Sequence, residues 1–141
     1  MGIGHRIDWR GSQAQEAVIQ AYREADLFVL ASKVADDGDR DGLPNVLMEA
    51  QSQALACLAT NAAGIPELIR DGVTGKLVPP GDADALAAGL KDLIVSPATR
   101  ERLGTAGAAE MQKRFSFESG IDRLAGLFGL SLSPATARAA E

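Results

Sequence analysis

Two short, unbroken apolar runs constrain the fold most: DLFVLAS at 26–32 and ACLAT at 56–60. Neither alternates apolar with polar residues, so neither suits a strand with one wet face. Both are too short for buried helices and suit strands covered on both faces of a parallel sheet. Parallel neighbours need a long crossover, usually a helix. The intervening segments have the helical pattern that such crossovers require.

SQAQEAVIQAYREA (12–25) sets Ala17, Ile19, Ala21 and Tyr22 among polar residues, as an amphipathic helix does. PNVLMEAQSQAL (44–55) reads as a helix with Pro44 near its first position, where a missing N–H costs nothing. GIPELIR (64–70) is a short helix, DGVTG (71–75) a turn and KLVPP (76–80) a third strand. GDADALAAGLKDLI (81–94) is a helix with Asp82 as N-cap and Leu86, Leu90, Leu93 and Ile94 on one face. Two further helices are expected over about 98–113 and 117–130. The tail SLSPATARAAE (131–141) is small and polar and reads as frayed. HRIDW (5–9) alternates weakly and is expected to be a short strand, and KVADDGDRDG (33–42) a loop. Strands alternating with helices imply an α/β layer around a parallel sheet, in one domain over 1–130 followed by a flexible tail.

The chain has 141 residues, 46% apolar and 23% charged, with a net charge of −5. That is an ordinary soluble composition, and the acidic balance argues against non-specific nucleic-acid binding. The single cysteine, Cys57, lies inside an apolar run and reads as a buried small hydrophobe. The first residues are too polar for a secretory leader, and Arg6 stands where a myristoylation signal wants Ser or Thr. No apolar run approaches the roughly 20 residues that span a bilayer, so a cytoplasmic location is the expectation.

DRDGLPNVLMEAQ (39–51) places Asp41 before a Gly-Leu-Pro turn and Glu49 within the helix that follows. In open α/β sheets, ligands bind in the crevice beyond the carboxyl ends of the strands. The first amides of the helix, those of Asn45, Val46 and Leu47, have no intrahelical partner and suit an anion. Gly42 lets a ligand approach the backbone, and Pro44 stiffens the turn. Glu49 lies four residues after Asn45, on the same helical face, and as a carboxylate accepts hydroxyl donors such as those of a ribose. Asp41 can do the same for another polyol. The spacing therefore fits a phosphate between two polyols, the form of a nucleotide sugar. Asn45, Glu49, Ser52 and Gln53 also form a polar stripe at helical spacing, and on spacing alone a solvated face is the favoured reading of such a stripe.

ADLFVLAS, followed by DGLPNVLMEAQSQALACLATNAAGIPELIRDGVTGKLVPPGDADALAAGL, resembles the C-terminal domain of the family 4, or group 1, glycosyltransferases of GT-B fold. The likeness runs from about Ile7 to Phe128. It rests on the order of the acid-Gly-Leu-Pro-x4-Glu segment, the GIPELI helix, the DGVTG turn and the VPPGD cap. The resemblance implies a partial Rossmann-like parallel sheet with flanking helices, and transfer of a sugar from a nucleotide diphosphate sugar to an acceptor hydroxyl with retention. It implies that Asp41 is catalytic and contacts the donor sugar, that Glu49 holds the ribose, and that the backbone around Gly42, Leu43, Pro44, Asn45, Val46 and Leu47 cradles the diphosphate. It implies no metal or other cofactor. The partner is a nucleotide sugar, and lipid-linked or polysaccharide acceptors, common in the family, leave peripheral membrane contact open.

Several positions depart from the pattern. Asp41 is one methylene shorter than the usual Glu, Ala54 and Ala56 replace a frequent Gly and Pro, and Ala63 replaces the first of a Gly pair. Relatives are more than twice as long. The likeness implies that the acceptor domain and the first part of the nucleotide domain, with its basic pair, lie outside this chain. Arg40 is the cation nearest the signature, and it reads first as a solvated loop residue. His5, the only histidine, reads as structural or exposed. Ile121, Leu124, Leu127 and Phe128 share one face of the last helix, which is expected to be exposed. Self-association or completion by a second polypeptide is the corresponding expectation. The rival to a sugar-transfer role is a non-catalytic module that binds nucleotide sugar or only mediates association.

Overall fold

The computed structural model describes residues 2–33, 42–115 and 117–130. Among them three parallel strands form a sheet in the order β1-β2-β3: β1 (Phe28–Leu30), β2 (Cys57–Thr60) and β3 (Lys76–Val78). Phe28 pairs with Cys57 and Leu58 with Lys76. The helices are α1 (Gln15–Glu24), α2 (Asn45–Ser52), α3 (Ile65–Leu68), α4 (Ala83–Ile94), α5 (Pro97–Phe115) and α6 (Phe117–Leu127). The α/β class and the parallel sheet therefore match the expectation.

Successive strand residues point to opposite faces, and β2 shows both. Cys57 and Ala59 join Leu47 and Ala50 of α2, Ile65 and Leu68 of α3 and Met111 of α5 in one core cluster. Leu58 faces the other way, into a cluster with Val78, Leu93 of α4 and Leu103 of α5. All four residues of β2 are buried, as the unbroken apolar run requires. On β1, Phe28 and Leu30 pack into the first cluster, but Val29, on the opposite face, is 38% exposed.

Helix α4 has the predicted cap: the Asp82 carboxylate accepts from the Ala85 amide at 2.8 Å. Its other end is closed by Arg100, which donates to the carbonyls of Leu93 and Ile94 at 2.7 and 3.0 Å.

Four expectations need correction. HRIDW is not a strand: Gly4–Arg6 form a turn of 3-10 helix, and Ile7–Arg10 have no ladder partner among the described residues. An extended segment without a partner gains no ladder bonds, and Trp9 is 87% exposed. Ile94 is 63% exposed. Each four-residue step rotates the apolar stripe by roughly 40°, which carries Ile94 away from the sheet that Leu86, Leu90 and Leu93 cover. Ala17 is exposed, and the half-buried side of α1 is Val18, Ile19, Ala21 and Tyr22. The third strand ends at Val78, because Pro79 and Pro80 have no amide to continue the ladder. The expected tail at 131–141 and most of the loop at 33–42 lie outside the described residues.

Candidate functional site

The carboxyl ends of β1 and β2 are tied together by the Thr60 hydroxyl, which donates to the Ser32 carbonyl. The turn into α2 and the turn into α3 meet beside them. A Cβ on Gly64 would lie 2.8 Å from the Gly42 carbonyl oxygen, so only glycine at 64 permits this approach. Gly42 is exposed and faces open space.

The eight predicted positions divide sharply. Asp41 lies outside the described residues. Gly42 and Asn45 are exposed, Val46 is 42% exposed, and Leu43 and Glu49 are half-buried. Pro44 is buried and serves as N-cap, with no side-chain cap bond. Leu47 corrects the expectation of three available amides: its N–H donates to the Pro44 carbonyl at 3.1 Å, and its side chain is fully buried in the core. The first turn closes with this tighter i→i+3 bond. No acceptor for the Asn45 and Val46 amides occurs among the described residues.

Glu49 is not a solvated stripe residue. Its Oε1 accepts from the Gln15 side-chain amide at 3.2 Å and its Oε2 from the Tyr22 hydroxyl at 3.4 Å. The Tyr22 ring stacks edge-on against Phe28 of β1, with centroids 5.6 Å apart at 86°. Burial raises the Tyr22 phenol above its ordinary value, and the neighbouring Glu49 carboxylate pushes the same way. The sequence pattern marks Tyr22 only as an apolar position. The i, i+7 spacing of Gln15 and Tyr22 is the signal that places both donors on one face of α1.

A cavity of about 210 Å³ opens on the same strand ends, lined by Ala31, Lys33 and Thr60 and by Gly81, Asp82, Ala83 and Leu86 at the start of α4. Lys33 was not among the predicted site residues. It is the described cation immediately beyond β1, and its place just after that strand is what marks it. No group of three or more His, Cys, Asp or Glu that would hold a metal occurs among the described residues.

Residues 1–110 match the family model described as glycosyl transferases group 1. The chain belongs to the group 1 glycosyl transferases. Among curated relatives it is 41% identical over 106 residues to the amylovoran biosynthesis glycosyltransferase AmsK of Erwinia amylovora, covering 75% of this chain and 26% of that protein. It is 32% identical over 104 residues to the GDP-mannose-dependent alpha-(1-6)-phosphatidylinositol monomannoside mannosyltransferase of Mycolicibacterium smegmatis, covering 73% of this chain and 27% of the relative. Sucrose-phosphate synthase from Thermosynechococcus elongatus superposes with a TM-score of 0.78 at 25% identity, over 89% of this chain and 30% of that one. The chain thus spans about a quarter of the length of these curated relatives.

Ala54 and Ala63 are the two non-glycine residues with positive φ among those described, at 56° and 50°. They are two positions at which the sequence resemblance implies glycine, the residue for which this backbone region carries no penalty. No described helix is long and apolar enough to cross a membrane.

Proposed function

We propose that this chain carries the donor-binding part of a retaining glycosyltransferase that moves a sugar from a nucleotide diphosphate sugar to an acceptor hydroxyl. The observation that carries the reading is the anchored Glu49 carboxylate, one helical turn beyond the open start of α2. A carboxylate offers about four acceptor positions, and two protein donors occupy only part of that capacity. The remainder suits the paired hydroxyls of a ribose. The start of α2 is the positive end of its dipole and suits the diphosphate, whose developing charge it would stabilise as the sugar leaves. Asp41, which precedes the turn in sequence, would take the donor-sugar hydroxyls. The GDP-mannose dependence of the mycobacterial relative supports a nucleotide-sugar donor.

In this reading Gly42, Leu43, Pro44, Asn45, Val46 and Leu47 supply backbone around the diphosphate, Leu47 by position and not by a vacant amide. No metal takes part, because the helix start and basic groups balance the leaving charge. A nucleotide sugar is the partner and the cytoplasm the location. Isothermal calorimetry of the whole chain with UDP, GDP and their sugars tests the reading. Binding that falls tenfold or more, about 1.4 kcal/mol, on Glu49→Ala is the expected result. An absence of heat with every nucleotide sinks it. Sugar transfer to any acceptor by the isolated chain would exclude a purely non-catalytic module.

A further inference from the structure

The Glu49 carboxylate is held by two neutral donors, and the choice of donors is informative. A carboxylate kept only for stability is best served by Arg or Lys, which neutralise it. Gln15 and Tyr22 instead grip one oxygen each and leave the negative charge intact. They stand seven residues apart on α1, two turns along one face, and reach the carboxylate at its separate oxygens. Tyr22 is itself fixed. The Tyr22 ring is set against Phe28, and Arg23 donates to the Gln53 side chain at 2.8 Å, fastening α1 to α2 one turn beyond Glu49. Glu49 remains half-exposed, so its unused acceptor positions are open to a ligand.

We infer that Tyr22 and Gln15 are positioning residues that orient the Glu49 carboxylate for two vicinal hydroxyls of the donor's ribose. This rests on the reading of Glu49 as a ribose acceptor. Preorienting an acceptor spares a flexible glutamate the rotamer entropy it would otherwise lose on binding. Neither residue needs to touch the ligand.

The test compares the wild-type chain with Tyr22→Phe and Gln15→Ala in calorimetric titrations. The probes are UDP, GDP and the matching 2′,3′-dideoxynucleoside diphosphates. Tyr22→Phe keeps the ring against Phe28, and Gln15 is exposed, so both variants are expected to melt as the wild type does. Each should weaken binding of the ribonucleotide about threefold to tenfold and leave the dideoxy analogue unaffected. In a Glu49→Ala background, Tyr22→Phe should cause no further loss, because the two residues act through one carboxylate. Wild-type binding of UDP or GDP with equal affinity in both single variants overturns the positioning role and leaves the donor reading intact. A loss that extends equally to the dideoxy analogue also overturns it, since the effect then does not pass through the ribose hydroxyls. No binding by the wild type removes the donor reading and this inference with it.

Discussion

The first turn of α2 leaves Asn45 and Val46 to solvent, whereas its last turn is locked beneath α5. At the start, Gly42 and Asn45 are exposed, no side chain caps the helix, and the Pro44 carbonyl accepts the Leu47 and Met48 amides. At the end, a Cβ on Gly104 would lie 2.0 Å from the Ala54 carbonyl oxygen, and one on Gly107 would lie 3.0 Å from Nε2 of Gln51. Gln51 is 1% exposed and donates to the Thr74 carbonyl at 2.8 Å, which ties α2 to the DGVTG turn. One helix thus has a packed end that fixes its position and an exposed end, where the proposed donor site lies. The difference follows from what each end touches: a helix start left to a ligand needs vacant space, and a helix end used as an anchor needs close contact.

The largest expected effect breaks the anchored end. Gly104→Leu should cost about 5 kcal/mol or more, because backbone, not a yielding side chain, occupies the space the new atoms need. Asn45→Ala, at the open end, should change stability by less than about 0.5 kcal/mol. Urea denaturation of both variants measures the contrast, and comparable losses would erase it.

Alkaline pH probes the same anchored region without a mutation. The Cys57 thiol is fully buried two residues after Leu55, whose carbonyl accepts its S–H at 3.3 Å. Burial pushes its pKa from 9.0 up to about 12. The folded chain therefore holds this proton more tightly than the unfolded chain does. The associated stability is complete below pH 9.0 and is lost as pH rises toward about 12. At about 1.4 kcal/mol for each pH unit between the two values, the loss approaches about 4 kcal/mol. The raised Tyr22 phenol adds a loss of the same sign above pH 10.0. Denaturation midpoints measured from pH 8 to 11 should fall, and Cys57→Ala should flatten most of that fall.

The anchored end was more legible in the sequence than the open one. The unbroken apolar run around Cys57 predicts a strand buried on both faces, and Asp82 predicts its own cap, because burial and capping are local properties of residue type. The need for glycine at 104 was not legible, since it depends on where Ala54 lies after α5 has docked. At the open end, the acid-turn-helix segment was visible as a motif, but spacing alone favoured a solvated stripe over a ligand acceptor for Glu49. What distinguishes them is a pair of donors, Gln15 and Tyr22, more than two dozen positions earlier in the chain. A contact of that range has no periodic signature. HRIDW failed as a strand for a related reason: alternation describes a face, and a strand also requires a partner.

The smallest effect sharpens the comparison within the anchored end itself. Ala54 follows α2 with φ at 56°, and its carbonyl is the group that Gly104 approaches. A left-handed conformation costs a Cβ-bearing residue roughly 1–2 kcal/mol. Replacing alanine by glycine removes that cost and adds roughly 0.5–1 kcal/mol of unfolded-chain entropy to be lost on folding. Ala54→Gly should therefore stabilise the chain by about 0.5–1 kcal/mol. The added freedom is harmless there, because the Ala54 amide donates to Gln51 and the Leu55 amide to Ala50, which hold the backbone on both sides. Ala63→Gly relieves the same strain at φ 50°, beside Gly64 and the open turn at Gly42. Its neighbours on that side are held less firmly, so its gain should be smaller than that of Ala54→Gly. Paired urea titrations of the two variants resolve the order, and a larger gain at 63 would mean that the open end of α2 is braced as tightly as the packed one.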